Sequence, residues 1–155
     1  DSATVTVIAN KTVFVDKKDP VIFLHICSPG GDLIASMRIY DRLKYSSLPF
    51  VGVLEGYVCS GGTIIMCACD YVTSYPSTEI MIHELSAGTF GRYSGMTTDV
   101  NRFTTLMDKC VNVYNQKIKK AKDKFDHKFL EKDQYMSLKK CKEIGLIDEI
   151  IGDEK

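Results

Sequence analysis

The sequence predicts an α/β fold with mainly parallel strand pairing. Three observations carry this. Continuous β-branched runs, Val21–Ile26 (VIFLHI) and Phe50–Leu54 (FVGVL), read as strands buried on both faces. Each is followed by a glycine-containing turn and then a stretch of helical or continuously apolar character. The order strand, turn, helix then repeats along the chain, as crossover connections between parallel strands require.

Taken in order, Val5, Val7, Ile8, Val13 and Val15 alternate around Asn10-Lys11, which predicts strand, turn, strand; Lys17-Lys18-Asp19-Pro20 is a polar break. After VIFLHI, Ser28-Pro29-Gly30-Gly31-Asp32 is a tight turn. Leu33, Met37, Ile39, Tyr40 and Leu43 then recur at helical spacing up to Ser46-Ser47, before Pro49. Gly56–Gly62 is predicted as a glycine-flanked turn after FVGVL, and Thr63–Cys69 as a short buried helix. Tyr71–Tyr75 and Glu79–His83 are strand-like, and Ser86–Gly95 reads as a loop or weakly held ribbon. From about Thr97 to Phe125 the positions Val100, Phe103, Met107, Cys110, Tyr114, Ile118, Ala121 and Phe125 keep a helical period. That helix would be on the order of 40 Å long. It either wraps the core or projects and packs on another subunit, with the lysines at 117, 119, 120, 122 and 124 as its solvated face. Ser137–Glu143 resembles a capped helix ended by Gly145, and Leu146–Ile151 a last strand. No repeat or linker divides the 155 residues, so one domain is expected.

Composition excludes several function classes. Twenty basic residues balance twenty acidic ones, which argues against a broad nucleic-acid-binding face. The longest apolar run, Gly61–Cys69, is far short of the roughly 18 residues of a membrane span. The six cysteines form no CxxC pair, and four lie inside apolar stretches. They read as structural thiols in a reducing compartment, cytoplasmic or the interior of an organelle, with no metal.

Three histidines limit the nucleophilic chemistry. His25 lies inside VIFLHI and reads as a packed core residue, and His127 as an exposed one. His83 ends a strand where a loop begins, a position that commonly displays functional groups on parallel sheets. Ser60, in Val58-Cys59-Ser60-Gly61-Gly62, stands at a strand-to-helix turn. It reads equally as a nucleophile or as a helix N-cap. The SPGG turn is either a tight connection or a source of main-chain amides for an oxyanion.

These stretches together resemble the ClpP family of serine peptidases. ICSPGGDLIASMRIYD resembles the family's strand–SPGG–helix segment, GYVCSGGT its nucleophile turn, EIMIHE its histidine strand, and LEKDQYMSLKKCKEIGLIDEII its C-terminal segment. The match runs from Val21 to Ile151, ungapped from SPGG through Ser60. The resemblance implies a crotonase/ClpP-like spiral of βαβ units with a projecting long handle helix, the single domain spanning 1–155. It implies Ser60 as nucleophile, His83 as general base and Asp133 as the group that orients the imidazole. It further implies oxyanion-hole amides from Gly31 and Gly61, and substrate binding at Gly30, Gly88 and Gly91, the last two on a ribbon that pairs with an extended peptide. No cofactor is implied in this chain. The implied assembly is a homo-oligomer of two stacked heptameric rings. Its implied partners are an AAA+ unfoldase of the Clp ATPase type, which would bind ATP, and unfolded polypeptide substrates; neither nucleic acid nor membrane is implied.

The sequence departs from the family pattern at three places. Val15–Asp19 leaves no room for the helix usual before the SPGG strand. Gly61 stands where the family has methionine, and Glu84-Leu85 where it has Gln-Pro. The competing readings are a catalytically weak or inactive ring-forming paralogue and a crotonase-fold enzyme acting on acyl-CoA thioesters. A related serine peptidase of viral capsid maturation or signal-peptide degradation is the remaining alternative.

Overall fold

The structure is a computed structural model that describes residues 7–16 and 19–153. A seven-stranded sheet forms its centre. Strand β1 (Val7–Asp16) runs antiparallel to β2 (Asp19–Ser28), from Val7 opposite Ile26 to Asp16 opposite Asp19. The expected turn at Asn10-Lys11 is instead a register shift between Ile8 and Lys11 within one strand. The unbroken partner β2 lets the chain absorb one extra residue as a bulge and carry on. Val5 and the Lys17-Lys18 break lie outside the described residues.

Strand β3 (Phe50–Cys59) is ten residues long, twice the predicted length. It pairs in parallel with β2 along its first half and again at Ser28–Val58. Its first half also pairs with β4 (Tyr71–Ser74), whereas Tyr57–Cys59 pair with β5 (Glu79–Ile82). The strand changes neighbours at Gly56, whose φ of +60° bends the backbone without ending it. The predicted turn over Gly56–Gly62 therefore shrinks to Ser60. The final strands are β6 (Gln134–Met136), antiparallel to β5, and β7 (Glu149–Ile150), parallel to β4.

Helix α1 (Leu33–Lys44) joins β2 to β3, and its first turn is capped by Asp32, whose carboxylate accepts from the Ala35 amide at 2.7 Å. Helix α2 (Gly61–Ala68) joins β3 to β4 and is buried at all eight positions, which explains why its sequence is apolar without a period. These helices cover one face of the sheet, and the core gathers Leu24, Ile26, Leu54 and Val58 against Tyr40, Ile64, Ile65 and Met66. Each such side chain is worth about 1.5–3 kcal/mol on burial.

Helix α3 (Tyr93–Lys117) has 25 residues, about 37 Å at 1.5 Å per residue. No residue from Tyr93 to Lys109 is buried; Cys110, Val113 and Tyr114 anchor its far end in the core. The unburied length fits a helix that projects rather than one that wraps the core. It begins four residues before the predicted Thr97 and stops at Lys117 rather than Phe125. Ile118 takes an extended conformation, the Lys119 amide donates to the Ile144 carbonyl at 3.1 Å, and the chain reverses. The Asn115 side chain then bonds both the N–H and the carbonyl of Phe125, each at 2.8 Å, and Phe125 stacks on Phe129 at 4.2 Å. Lys117 is correspondingly not on a solvated face: its ammonium donates to the Cys69 carbonyl at 2.7 Å. A short 3-10 turn (Ala121–Asp123), α4 (His127–Leu130) and α5 (Leu138–Ile144) complete the chain. Ser137 caps α5, and Gly145 ends it at φ +89°.

All six cysteines are free, five of them buried. Burial pushes Cys67, Cys69 and Cys141 up to about 12 and Cys110 to about 11, so these thiols stay protonated and inert. Among the described residues no helix is long and apolar enough to cross a membrane.

Candidate active site

Three strand ends meet at one edge of the sheet. Strands β3 and β5 are parallel and pair through Cys59 opposite Met81, so Ser60 and His83 emerge side by side just beyond them. Strand β6 runs the other way and pairs Gln134 with Ile82, so Asp133 faces His83 at the next step of the register.

Ser60 occupies the N-cap position of α2, yet its side chain makes no capping bond. The hydroxyl lies 2.8 Å from Nε2 of His83. Of the two roles the sequence left open, the position belongs to a cap and the hydroxyl does not. Ser60 is also the one non-glycine residue at positive φ among the described residues, with φ 51° and ψ −122°. Such a conformation costs about 1–3 kcal/mol and persists only where the surroundings enforce it. Here the Ser60 amide donates to the Met81 carbonyl at 2.8 Å, and its carbonyl accepts from the Thr63 amide at 2.9 Å.

Asp133 is less tightly held. Its Oδ1 is 4.0 Å from His83 Nδ1, beyond hydrogen-bond length, and its side chain is 63% exposed against 25% for His83. Glu84 is exposed, and its amide is tied to the Leu130 carbonyl at 2.8 Å.

The two glycines of the SPGG turn lie against the Ser60 turn. A Cβ on Gly30, which has φ +98°, would stand 2.6 Å from Ser60 Cβ and 2.9 Å from the Gly61 nitrogen. A Cβ on Gly61 would stand 3.5 Å from the Gly31 nitrogen and would collide with the Ser36 hydroxyl. The Gly31 and Gly61 backbones are thus neighbours beside the Ser60 hydroxyl, with Gly61 opening the first turn of α2, where amides point outward unpaired. Gly61 is buried, and a side chain there would require the Ser36 hydroxyl to shift.

A cleft of about 650 Å³ opens on this edge, lined by Ser60, Gly61 and His83 and by apolar groups that include Ile64, Phe103 and Leu106. A second, more open depression of about 570 Å³, between Pro76–Ile80 and Tyr135–Leu138, contains none of the predicted residues. Gly88 and Gly91 follow the loop residues 84–87 that line the first cleft, and a Cβ at either would have no neighbour within 4 Å. The ribbon expected there is irregular backbone over residues 83–92, and Gly95 already belongs to α3.

The other histidines sit elsewhere. His25 is not a core residue: it is half-buried, with Nδ1 2.6 Å from Glu55 Oε1, because its side of β2 is not the one covered by α1 and α2. His127 is exposed and lies 2.9 Å from Asp108. Cys59, beside Ser60, is buried, and that burial, ahead of the nearby Glu79 charge, raises its pKa. Sequence reasoning passed over Thr63 and Tyr114, which approach Ser60 from α2 and α3. The available signal was a hydroxyl residue three positions after Ser60 in an otherwise apolar helix. Among models of protein families, the one described as Clp protease matches residues 1–154.

Proposed function

The chain belongs to the Clp protease family, and on that footing we propose that it is a serine endopeptidase, the proteolytic subunit of an ATP-dependent protease. It cleaves unfolded polypeptides inside an oligomeric chamber, using Ser60, His83 and Asp133. The observation that carries this reading is the 2.8 Å contact between the Ser60 hydroxyl and His83 Nε2, made by a serine whose backbone is held in a strained conformation.

With Nε2 as acceptor, His83 removes the hydroxyl proton as Ser60 Oγ attacks the scissile carbonyl carbon. Charge develops on the carbonyl oxygen, and the amides of Gly31 and Gly61 receive it; each such donor is typically worth on the order of a hundredfold in rate. The imidazolium then gives its proton to the leaving amine, leaving an acyl-enzyme. Water, deprotonated by the same imidazole, releases the second product and restores the serine. Asp133 favours the imidazolium that forms between these steps, and a carboxylate movement of about 1 Å brings it within hydrogen-bond range of Nδ1. The chemistry needs no cofactor in this chain.

The projecting, largely unburied length of α3 supports an assembly in which these helices pack between subunits, as in two stacked heptameric rings. Unfolding and ATP hydrolysis then fall to a Clp-type AAA+ partner. The open Asp133–His83 distance favours the second reading, a ring-forming paralogue with weak catalysis.

A fluorophosphonate probe, with peptide mapping and Ser60→Ala alongside, decides between them. The expected result is one adduct, on Ser60, absent from the variant. A folded, assembled sample that takes no adduct overturns the peptidase reading in favour of the paralogue.

A further inference from the structure

One buried chain of hydroxyl groups ends on the nucleophile turn. Thr63 is fully buried in the first turn of α2, and Tyr114, 2% exposed, lies near the anchored end of α3. Thr63 Oγ1 is 2.6 Å from the Ser60 carbonyl oxygen, and the Tyr114 hydroxyl is 2.8 Å from Thr63 Oγ1. The directions follow from chemistry. A carbonyl oxygen only accepts, so Thr63 gives its single proton to Ser60; its remaining lone pairs then require Tyr114 to be the donor. Burial raises the Tyr114 pKa strongly, with the Cys67 thiol adding to the effect, so the phenol stays a donor at any working pH.

The carbonyl of Ser60 therefore accepts two bonds from Thr63, from its amide at 2.9 Å and from its hydroxyl, while the Ser60 amide is tied to Met81. An ordinary helix start supplies the amide bond alone. The hydroxyl pair adds a second clamp on the peptide unit that follows the only strained non-glycine residue among the described residues. Tyr114 is in turn fixed by its ring, 5.7 Å from that of Phe125.

We propose that Thr63 and Tyr114 are positioning residues: through the relay Tyr114–Thr63–Ser60 they hold the nucleophile's backbone at the angle that aims its hydroxyl at His83. The inference rests on the serine-peptidase reading. Neither side chain donates or takes a proton in the reaction; they act through the Ser60 carbonyl. Both come from helices, so α3 is connected by hydrogen bonds to the reacting serine.

The test uses the assembled full chain and four variants: Thr63→Val, which keeps the shape and removes the hydroxyl; Thr63→Ser, which restores it; Tyr114→Phe; and Thr63→Val with Tyr114→Phe. Peptidase kcat, KM and the second-order rate of fluorophosphonate labelling are measured over pH 6–9, beside thermal melting of each protein. Small displacements of reacting groups cost ten- to hundredfold, so Thr63→Val is expected to lower kcat and the labelling rate about tenfold. For this variant KM and the pH midpoint should be unchanged, since Thr63 does not line the cleft and His83 is not altered. Tyr114→Phe should lower the same rates less, Thr63→Ser should return to within about twofold of wild type, and the double variant should be no slower than Thr63→Val, as links of one chain require. Folded variants that melt lower but react at the wild-type rate would make the relay purely structural and overturn the inference. Failure of Thr63→Ser to recover the rate would also overturn it, since the hydroxyl would then not be the operative group. A wild-type chain that takes no probe overturns the peptidase reading and this inference with it; reaction of wild type and variants at equal rates overturns this inference alone.

Discussion

Replacing Gly30 by alanine tests whether the SPGG turn sets the geometry of Ser60. Two costs add at this position. A side chain at φ +98° is strained by roughly 1–2 kcal/mol. The new methyl would also stand 2.6 Å from Ser60 Cβ and 2.9 Å from both the Cys59 carbonyl oxygen and the Gly61 nitrogen. Two of these neighbours are backbone and the third is a Cβ, so no rotamer change clears the space, and overpacking of this kind costs about 1–3 kcal/mol. The sum, about 2–5 kcal/mol, corresponds in a chain of this length to a fall in Tm of roughly 5–20 °C. The relief must come from moving the Ser60 turn relative to His83, so the labelling rate of the folded fraction should drop by about a hundredfold. Gly95→Ala is the control: it lies in α3, nothing stands within 4 Å of its Cβ, and alanine favours a helix by about 1 kcal/mol. Calorimetry with fluorophosphonate kinetics reads both effects. A Gly30→Ala protein that melts and labels like wild type would refute the close packing of the two turns.

The remaining expectations concern charge. At 4.0 Å, Asp133 stabilises an imidazolium by about 1 kcal/mol at the dielectric of water and about 4 kcal/mol at an effective value of 20. Because the carboxylate is 63% exposed, Asp133→Asn is expected near the lower limit, a roughly five- to fiftyfold loss of kcat; a loss of about 10⁴ would mean that the working state draws the carboxylate into contact, and no loss would remove it from the machinery. The buried thiols predict alkaline instability. Unfolded cysteines ionise near their ordinary value, whereas Cys67, Cys69 and Cys141 hold their protons until about 12 and Cys110 until about 11. Their folded values are raised, so their stabilisation is complete below the unfolded value and is lost as pH climbs toward the folded ones, by up to about 1.4 kcal/mol per unit for each thiol. Urea unfolding at pH 8 and 10.5 should therefore show a loss of several kcal/mol, and equal stability at the two would contradict the assigned burial.

What could be read in the sequence was what local chemistry decides. Ser137 and Gly145 delimit α5 because a hydroxyl cap and a left-handed glycine act within their own turn. The strand–SPGG–helix segment was legible for the same reason. Misreadings arose where distant residues decided. Gly56 reads as a turn, but β4 and β5 both need an edge of β3, and the strand satisfies both by bending. The helical period runs on to Phe125 because Ile118 and Phe125 are both apolar; they are buried by chain reversal, with Asn115 closing the loop, and periodicity cannot separate the two kinds of burial. His25 sits in an apolar run, yet one face of that strand looks away from the helices, where Glu55 meets it.

The candidate site divides along the same line. Ser60 and His83 emerge from neighbouring parallel strands whose register is fixed by core residues: Val58 and Ile80, both fully buried, sit opposite each other two steps before the site. Slipping that register by one residue would turn these side chains out of the core, so the Ser60–His83 contact inherits the stability of the core itself. Asp133 is held by a three-residue strand that contains no buried residue and by the exposed Glu131 and Lys132 that follow α4. The family resemblance is what points to a carboxylate at Asp133, one step from Gln134. Its distance to the imidazole depends on an exposed edge. The Ser60–His83 contact is thus built into the core of this fold, while the Asp133–His83 distance is set at its exposed border.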